Sequence, residues 1–398
     1  MKAFIVSLGC PKNLTDTEVI MGRLVASGHT ITLKEKEADF FIVNTCAFLK
    51  SARDEAKQTV KELQKYKKPI YLAGCLPKLK EKIPGTAGTI DSIKLYDCNT
   101  PRIKATPPWT AYVKIAEGCN NRCSYCLIPK IRGRLRIRKV ADILKEAAGL
   151  AKRGVKEIIF IAQDTTAHPN LPELLEKTAK IRGVKWIRVM YAHPNHITDK
   201  LLKVMAATKK VCKYLDLPLQ HSCDNILEGM NRPFRRGSNL ESLILKIREA
   251  IPEIAIRTSL IVGFPGETAS NFKALLDFVG RMKFERLGVF RYSREDGTPA
   301  SRMRGQVSEK IKEIRFEKIM ALQKKISRAK NKGLIGKDFE VLCEGKRGSY
   351  LVGRAYSSAP EIDGQVVLKC SGDIRYGRFV HARVVSAGAY DLTANVIT

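Results

Sequence analysis

The sequence predicts an α/β chain in three parts. These are an N-terminal α/β domain with a parallel sheet over 1–106, an open (β/α)6 partial barrel over 109–332, and a small β-barrel over 333–398. Three observations predict it. Short apolar runs alternate with helical stretches on both sides of Thr106-Pro-Pro108, a linker signal. The second part has six such units, too few for a closed eight-stranded barrel. From Leu334 the pattern changes to five short, Gly-punctuated β-rich segments.

In the first part, Ala3–Leu8, Ile31–Leu33, Phe40–Val43 and Ile70–Ala73 read as buried strands. Asn13–Ala26 and Ser51–Lys65 read as helices, the first with Thr15 as N-cap and Glu18 at capping-box spacing. Three of the strands run into a cysteine: Leu8-Gly9-Cys10, Asn44-Thr45-Cys46 and Ala73-Gly74-Cys75. Ligands of open α/β sheets bind beyond the carboxyl ends of the strands, so these thiols would converge although far apart in sequence. On spacing alone, a cluster site and three unrelated buried thiols are equally good readings.

In the second part, strands are expected at Tyr112–Ala116, Glu157–Ala162, Trp186–Tyr191, Tyr214–Leu217, Ile256–Val262 and Arg286–Tyr292. Helices are expected at Ala141–Lys152, Leu171–Ile181, Asp199–Ala207, Asn239–Ala250 and Ser270–Arg281. The chemistry of such a barrel lies at the strand ends, which carry Gln163-Asp164, His193-Pro, Gln220-His221 and Gly263-Phe-Pro-Gly-Glu267. The last group can line a cofactor pocket, since glycine lets backbone approach a ligand closely, or it is a plain turn. The histidines, each isolated, are poor ligand candidates. Ser308–Lys332 reads as a long basic helix that packs on the barrel through Ile311, Ile314, Ile319, Leu322 and Ile326. The final strands are Phe339–Cys343, Tyr350–Tyr356, Gln365–Lys369, Phe379–Ala387 and Asp391–Val396.

Composition sets the class. Apolar residues make up 44% of 398, and no apolar run approaches a membrane span. The Met1–Cys10 stretch resembles a lipoprotein signal, but Ala3–Leu8 is too short for a signal core and reads as a strand. The expectation is a cytoplasmic protein whose eleven Cys are reduced thiols or metal ligands. A formal charge of +31 points to nucleic acid or a ribonucleoprotein, or to a Lys-rich proteome.

The densest chemical signal is Glu117-Gly-Cys-Asn-Asn-Arg-Cys-Ser-Tyr-Cys126. Cys119, Cys123 and Cys126 follow an apolar strand at C-x3-C-x2-C spacing, which turns three soft thiolates to one face. Closed structural zinc and ordinary 4Fe–4S sites need four protein ligands. Three thiolates leave one iron open to bind a substrate. A zinc knuckle completed from elsewhere and three buried thiols are the alternatives. Cys98, Cys212, Cys223, Cys343 and Cys370 show no ligand spacing.

C-x3-C-x2-C with Tyr125 before the last Cys resembles the radical S-adenosylmethionine superfamily. With all three parts in view, the chain resembles the methylthiotransferases, with an auxiliary-cluster domain, a radical core and a C-terminal TRAM barrel. Ser7-Leu-Gly-Cys-Pro-Lys-Asn-Leu14, Asp16-Thr-Glu18, Ile128-Pro129, Arg132-Gly133, Phe160–Thr166, Tyr292–Pro299 and Ala359–Gly364 resemble the branch acting on ribosomal protein S-twelve, the RimO type. Arg134–Lys139 and Pro169 depart from its usual pattern.

This resemblance implies two 4Fe–4S clusters, an auxiliary one on Cys10, Cys46 and Cys75 and a radical one on Cys119, Cys123 and Cys126. It implies S-adenosylmethionine, with Gln163, Gln220, Gly263 and Glu267 as pocket candidates, and singles out no catalytic residue. The implied reaction is methylthiolation of an aspartate β-carbon in protein S-twelve. The implied partners are that protein, near or on the small ribosomal subunit, an electron donor such as flavodoxin or ferredoxin, and a sulfur source, with no membrane. Residues 109–332 hold 45 basic against 22 acidic side chains, while 333–398 hold 8 against 7. The near-neutral barrel is therefore expected to bind a protein loop, because a tRNA-gripping module should be basic. The alternatives are a tRNA adenosine methylthiotransferase and a non-catalytic iron–sulfur RNA-binding protein.

Overall fold

The computed structural model describes residues 1–234, 239–369 and 374–397, which leaves Cys370 outside the described residues. Two compact units form, one of 1–170, 181–183 and 293–302, the other of 171–180, 184–292 and 303–398. Among the described residues no helix is long and apolar enough to cross a membrane.

The first unit opens with β1 (Lys2–Ser7), α1 (Pro11–Ala26), β2 (Thr30–Ile31), β3 (Phe40–Thr45), α2 (Lys50–Gln64), β4 (Ile70–Gly74), α3 (Cys75–Lys78) and β5 (Gly88–Thr89). The strands form a parallel sheet in the order β2-β1-β3-β4-β5. Both faces are covered, as a continuous apolar strand requires. Phe41 and Val43 of β3 pack with Ala56, Val60 and Leu63 of α2, while Phe40 and Ile42 pack with Ile20 of α1.

Thr15 is not the N-cap of α1. The helix starts at Pro11, whose fixed φ suits the first helical position, with Cys10 as the capping residue. Thr15 lies inside and donates to the Lys12 carbonyl, and Glu18 instead accepts from Arg102 Nε at 2.7 Å.

The unit continues with β6 (Thr110–Lys114), β7 (Ala116–Glu117), α4 (Ile128–Arg132), β8 (Arg136–Ile137), α5 (Val140–Lys152) and β9 (Glu157–Ile161). Strands β6 and β9 pair in parallel, and the two-residue strands β7 and β8 form an antiparallel ladder that the apolar pattern did not foretell. The returning segment 293–302 completes the unit. Leu49 cannot cap α2, and Glu295 does so from a distance, accepting from the Lys50 N–H at 2.8 Å and pairing with Arg53 at 2.8 Å.

The second unit holds α6 (Leu171–Ala179), β10 (Trp186–Val189), α7 (Asp199–Ala207), β11 (Val211–Asp216), α8 (Asp224–Gly229), α9 (Leu240–Ala250), β12 (Ala255–Val262), α10 (Ala269–Met282), β13 (Arg286–Arg291) and α11 (Glu309–Lys332). Strands β10 to β13 are parallel and adjacent in sequence order. All six strands expected for the central part are therefore present. Then β14 (Asp338–Arg347), β15 (Tyr350–Ala355), β16 (Val366–Lys369), β17 (Phe379–Ala387) and β18 (Leu392–Ile397) close a barrel in the order β14-β15-β16-β18-β17.

The α11 helix packs on β13 and α10 through only part of the expected stripe, its Ile319 and Ile326. Ile311 and Ile314 are exposed, and the buried side includes Lys312, Arg315, Ile319, Gln323 and Ile326. Arg315 turns inward because Glu267 meets it at 3.1 Å, and Lys312 remains paired with Glu309 at 2.7 Å.

Candidate metal centres

Two groups of three thiols lie in the first unit. Cys46 and Cys75 are the first residues after the neighbouring strands β3 and β4, and Cys10 precedes α1 on the far side of a turn from β1. That turn depends on Gly9. It sits at φ +91°, and a Cβ there would lie 2.8 Å from Cys46 Cβ.

Asn13 ties the group together. Its amide nitrogen donates to the carbonyls of Leu8 at 2.7 Å and Thr45 at 3.0 Å, each close before a cysteine. Its Oδ1 lies 3.9 Å from Cys75 Sγ and accepts from Arg132 Nη2 at 3.1 Å. The same Nη2 donates to Cys75 Sγ at 3.5 Å.

The three thiols differ in acidity. Burial pushes Cys10 up, but Lys12, Arg132 and the N–H groups of Asn13 and Lys12 outweigh it, so its pKa is lowered. Burial raises Cys46 and pushes Cys75 to about 11, with the neighbouring sulfurs adding to both. A soft, all-thiol set with cationic and N–H donors around it fits an iron–sulfur cluster. Alkylation of the metal-free protein with iodoacetamide, followed by mass spectrometry over a pH series, should modify Cys10 first and Cys75 last. Only thiolate reacts, so Cys75 should carry about 100-fold less reactive form than an ordinary thiol below pH 9. Equal rates at the three positions would refute this order.

The second group sits in the loop between β7 and α4. The Cys119 N–H donates to the Gly133 carbonyl at 3.1 Å, the Cys126 N–H to the Cys123 carbonyl at 3.0 Å, and the Ile128 N–H to Cys126 Sγ at 3.4 Å. Gln163, beyond β9, clamps the start of the loop by accepting from the Gly118 N–H at 2.8 Å and donating to Glu117 Oε1 at 2.8 Å. Burial, reinforced by Asp164 and Cys123, raises Cys119.

Between the two groups lies a buried set of four charges. Lys114 pairs with Asp16 and, at 2.6 Å, with Glu117. Arg132 Nη1 reaches Asp16 and Glu117, each at 3.1 Å. Burial alone would raise the Glu117 carboxyl, but Lys114 and Arg132 hold it at about 2.

The other pocket candidates lie in the second unit. Gln220 follows β11 with φ +71°, a strained conformation for a non-glycine residue, and its backbone bridges to Ser259 and Ile261. Glu267 accepts from the N–H groups of Gly263 and Phe264, the latter at 3.1 Å, and so closes their turn. Gly263 has φ +73°, and a Cβ there would collide with the Lys312 side chain. The nearby His221 is buried, and desolvation lowers its pKa to about 3.

Comparison with known proteins covers nearly the whole chain. Residues 2–93 match the uncharacterized protein family UPF0004, 113–279 the radical SAM superfamily and 335–397 the TRAM domain. The ribosomal protein uS12 methylthiotransferase RimO of Pelotomaculum thermopropionicum is 43% identical, over 100% of this chain and 99% of its own length. Its counterpart in Desulforamulus reducens is 44% identical over 98% of each. The chain belongs to the RimO family. A solved radical S-adenosylmethionine methyltransferase, TsrM of Kitasatospora setae, shares the fold with a TM-score of 0.54 at 14% identity, over 75% of this chain and 76% of that one. As a member of the RimO family and of the radical SAM superfamily, the chain is an enzyme that uses S-adenosylmethionine and 4Fe–4S chemistry. Motif spacing draws attention to the cysteines of a RimO chain but gives no role to Asn13, Lys114 or Arg132. Asn13 and Arg132 stand in matching motifs, and that was their only sequence signal.

Proposed function

We propose that the chain methylthiolates the β-carbon of an aspartate in ribosomal protein uS12, using two 4Fe–4S clusters. One would be held by Cys10, Cys46 and Cys75 and the other by Cys119, Cys123 and Cys126, in an N-terminal domain spanning 1–106 and a radical core spanning 109–332, followed by the barrel. The observation that carries this reading is the presence of two all-thiol trios in a chain 43% identical to a RimO methylthiotransferase. Bound and reduced, the second cluster would supply the electron that cleaves S-adenosylmethionine and allows hydrogen to be taken from carbon.

The protein's own residues prepare the site. Gln163 and Gly133 fix the backbone around Cys119, and Asn13 fixes the turns that present Cys10 and Cys46. Glu267 and Arg315 hold the Gly263 turn against α11, so that backbone can line a cofactor pocket together with Gln220. The charge balance favours uS12 within a ribosomal particle, where RNA phosphates screen the basic core from a basic substrate.

The test offers the reconstituted enzyme small ribosomal subunits, free uS12 and tRNA separately, with an electron donor such as flavodoxin and a sulfide source. Mass spectrometry should find the methylthio group on the uS12 aspartate, mainly with subunits. A modified adenosine with unmodified protein would overturn the substrate assignment. Product on free uS12 alone would overturn the screening argument.

A further inference from the structure

We propose that Arg132 is a positioning residue that ties the Cys10–Cys46–Cys75 group to the Cys119 loop and, by hydrogen bonding to the Cys75 sulfur, sets the reduction potential of the cluster held there. The proposal rests on the assignment of a cluster to each trio.

The guanidinium has two working edges. Nη1 is 3.1 Å from both Asp16 and Glu117, and Nη2 is 3.1 Å from Asn13 Oδ1 and 3.5 Å from Cys75 Sγ. The side chain is 1% exposed, so its charge is removed from water and its donors have no solvent to fall back on. Two carboxylates balance it and Lys114 together, leaving the set with no net charge. An arginine kept only for ion pairing would turn both edges to the carboxylates, the bidentate arrangement. Here one edge is given to a sulfur and to the asparagine that orders the sulfur's neighbours.

Chain connectivity gives Arg132 its second role. It is the last residue of α4, which begins two residues after Cys126, and the carbonyl of the next residue, Gly133, accepts from the Cys119 N–H. Glu117, its ion-pair partner, stands two residues before Cys119 and is gripped by Gln163. Movement of either trio is therefore felt at Arg132. Hydrogen bonds to cluster sulfurs and nearby positive charge both favour the reduced, more negative state. Lysine at this position keeps the charge but has no planar fork to span carboxylates and sulfur together.

The experiment uses the full-length chain carrying Cys119→Ala, Cys123→Ala and Cys126→Ala, reconstituted anaerobically so that a single cluster remains. EPR-monitored redox titration then compares it with the same chain carrying Arg132→Lys. The expected result is a tenfold or greater shift of the reduction equilibrium against the reduced form, about 59 mV for one electron, at unchanged iron content. A purely structural arginine would alter the melting temperature and leave the potential where it was, and that outcome overturns the proposal. Should the lysine chain not fold, ¹⁵N-arginine labelling of the chain with Arg132 intact keeps the question open to decision. Pulsed EPR of its reduced cluster should detect an arginine nitrogen, and absence of that coupling also overturns the proposal. If the Cys10–Cys46–Cys75 group takes up no iron at all, the cluster assignment fails and the proposal falls with it. That result is distinct from a loaded cluster indifferent to Arg132.

Discussion

Replacing Cys119, Cys123 and Cys126 together with alanine is expected to abolish 5′-deoxyadenosine formation while one cluster's iron stays bound. The loss should be on the order of 10⁶-fold or more, since the variant would lack the cluster proposed to deliver the electron and fall back to the uncatalysed rate. The complementary variant, Cys10→Ala with Cys46→Ala and Cys75→Ala, should keep cleavage and lose methylthiolation. Iron analysis, chromatography of the nucleoside product and mass spectrometry of the substrate read the two losses separately. Full iron and methylthiolated product from the second variant would refute the role given to the strand-end cysteines. Zinc in place of iron, or no cleavage by the unsubstituted enzyme, would refute radical chemistry altogether.

Lys114→Met should be among the most damaging single changes to stability outside the cysteines. Lys114 is fully buried, with Asp16 and Glu117 as ion-pair partners. Without it, two buried carboxylates share one guanidinium. Breaking a buried pair from one side typically costs about 3–5 kcal/mol, because a charge is left uncompensated in a poorly polarisable interior. For a unit of this size that corresponds to a fall in Tm of roughly 6–20 °C. Adding Asp16→Asn to Lys114→Met removes the excess charge and should restore much of the loss. Thermal melts of the wild type, both single variants and the double variant measure the coupling. A Tm unchanged within about 1 °C in Lys114→Met would show that the network contributes nothing to stability.

What could be read in advance follows the range of the forces involved. Strands β1, β3 and β4 announce themselves because a strand covered on both faces is a continuous apolar run, and the strand-end rule then brings Cys10, Cys46 and Cys75 to one edge. The start of α1 was misjudged because a capping-box spacing at Thr15 competed with Pro11 at the first helical position, and the proline prevailed. The isoleucine stripe of α11 is a local signal that places Ile319 and Ile326 correctly but not Ile311 and Ile314, and the inward turn of Arg315 is set by Glu267, 48 residues away in sequence. Arg132 and Lys114 escaped for the same reason: their partner Asp16 lies 116 and 98 residues distant, and a lone basic side chain carries no mark of being buried.

The cap that Glu295 places on α2 has a consequence for biosynthesis. The helix begins at Lys50, yet the carboxylate that accepts its first N–H is encoded 245 residues later. The Ser124 carbonyl beside Cys123 likewise waits for the N–H of Ala300. At 5–20 residues per second, the first unit emerges from its own ribosome roughly 6–25 s before the segment that completes it. During that interval α2 and the Ser124 carbonyl lack these two contacts. A nascent chain stalled before residue 293 would present both sets of thiols on a unit that lacks these two contacts.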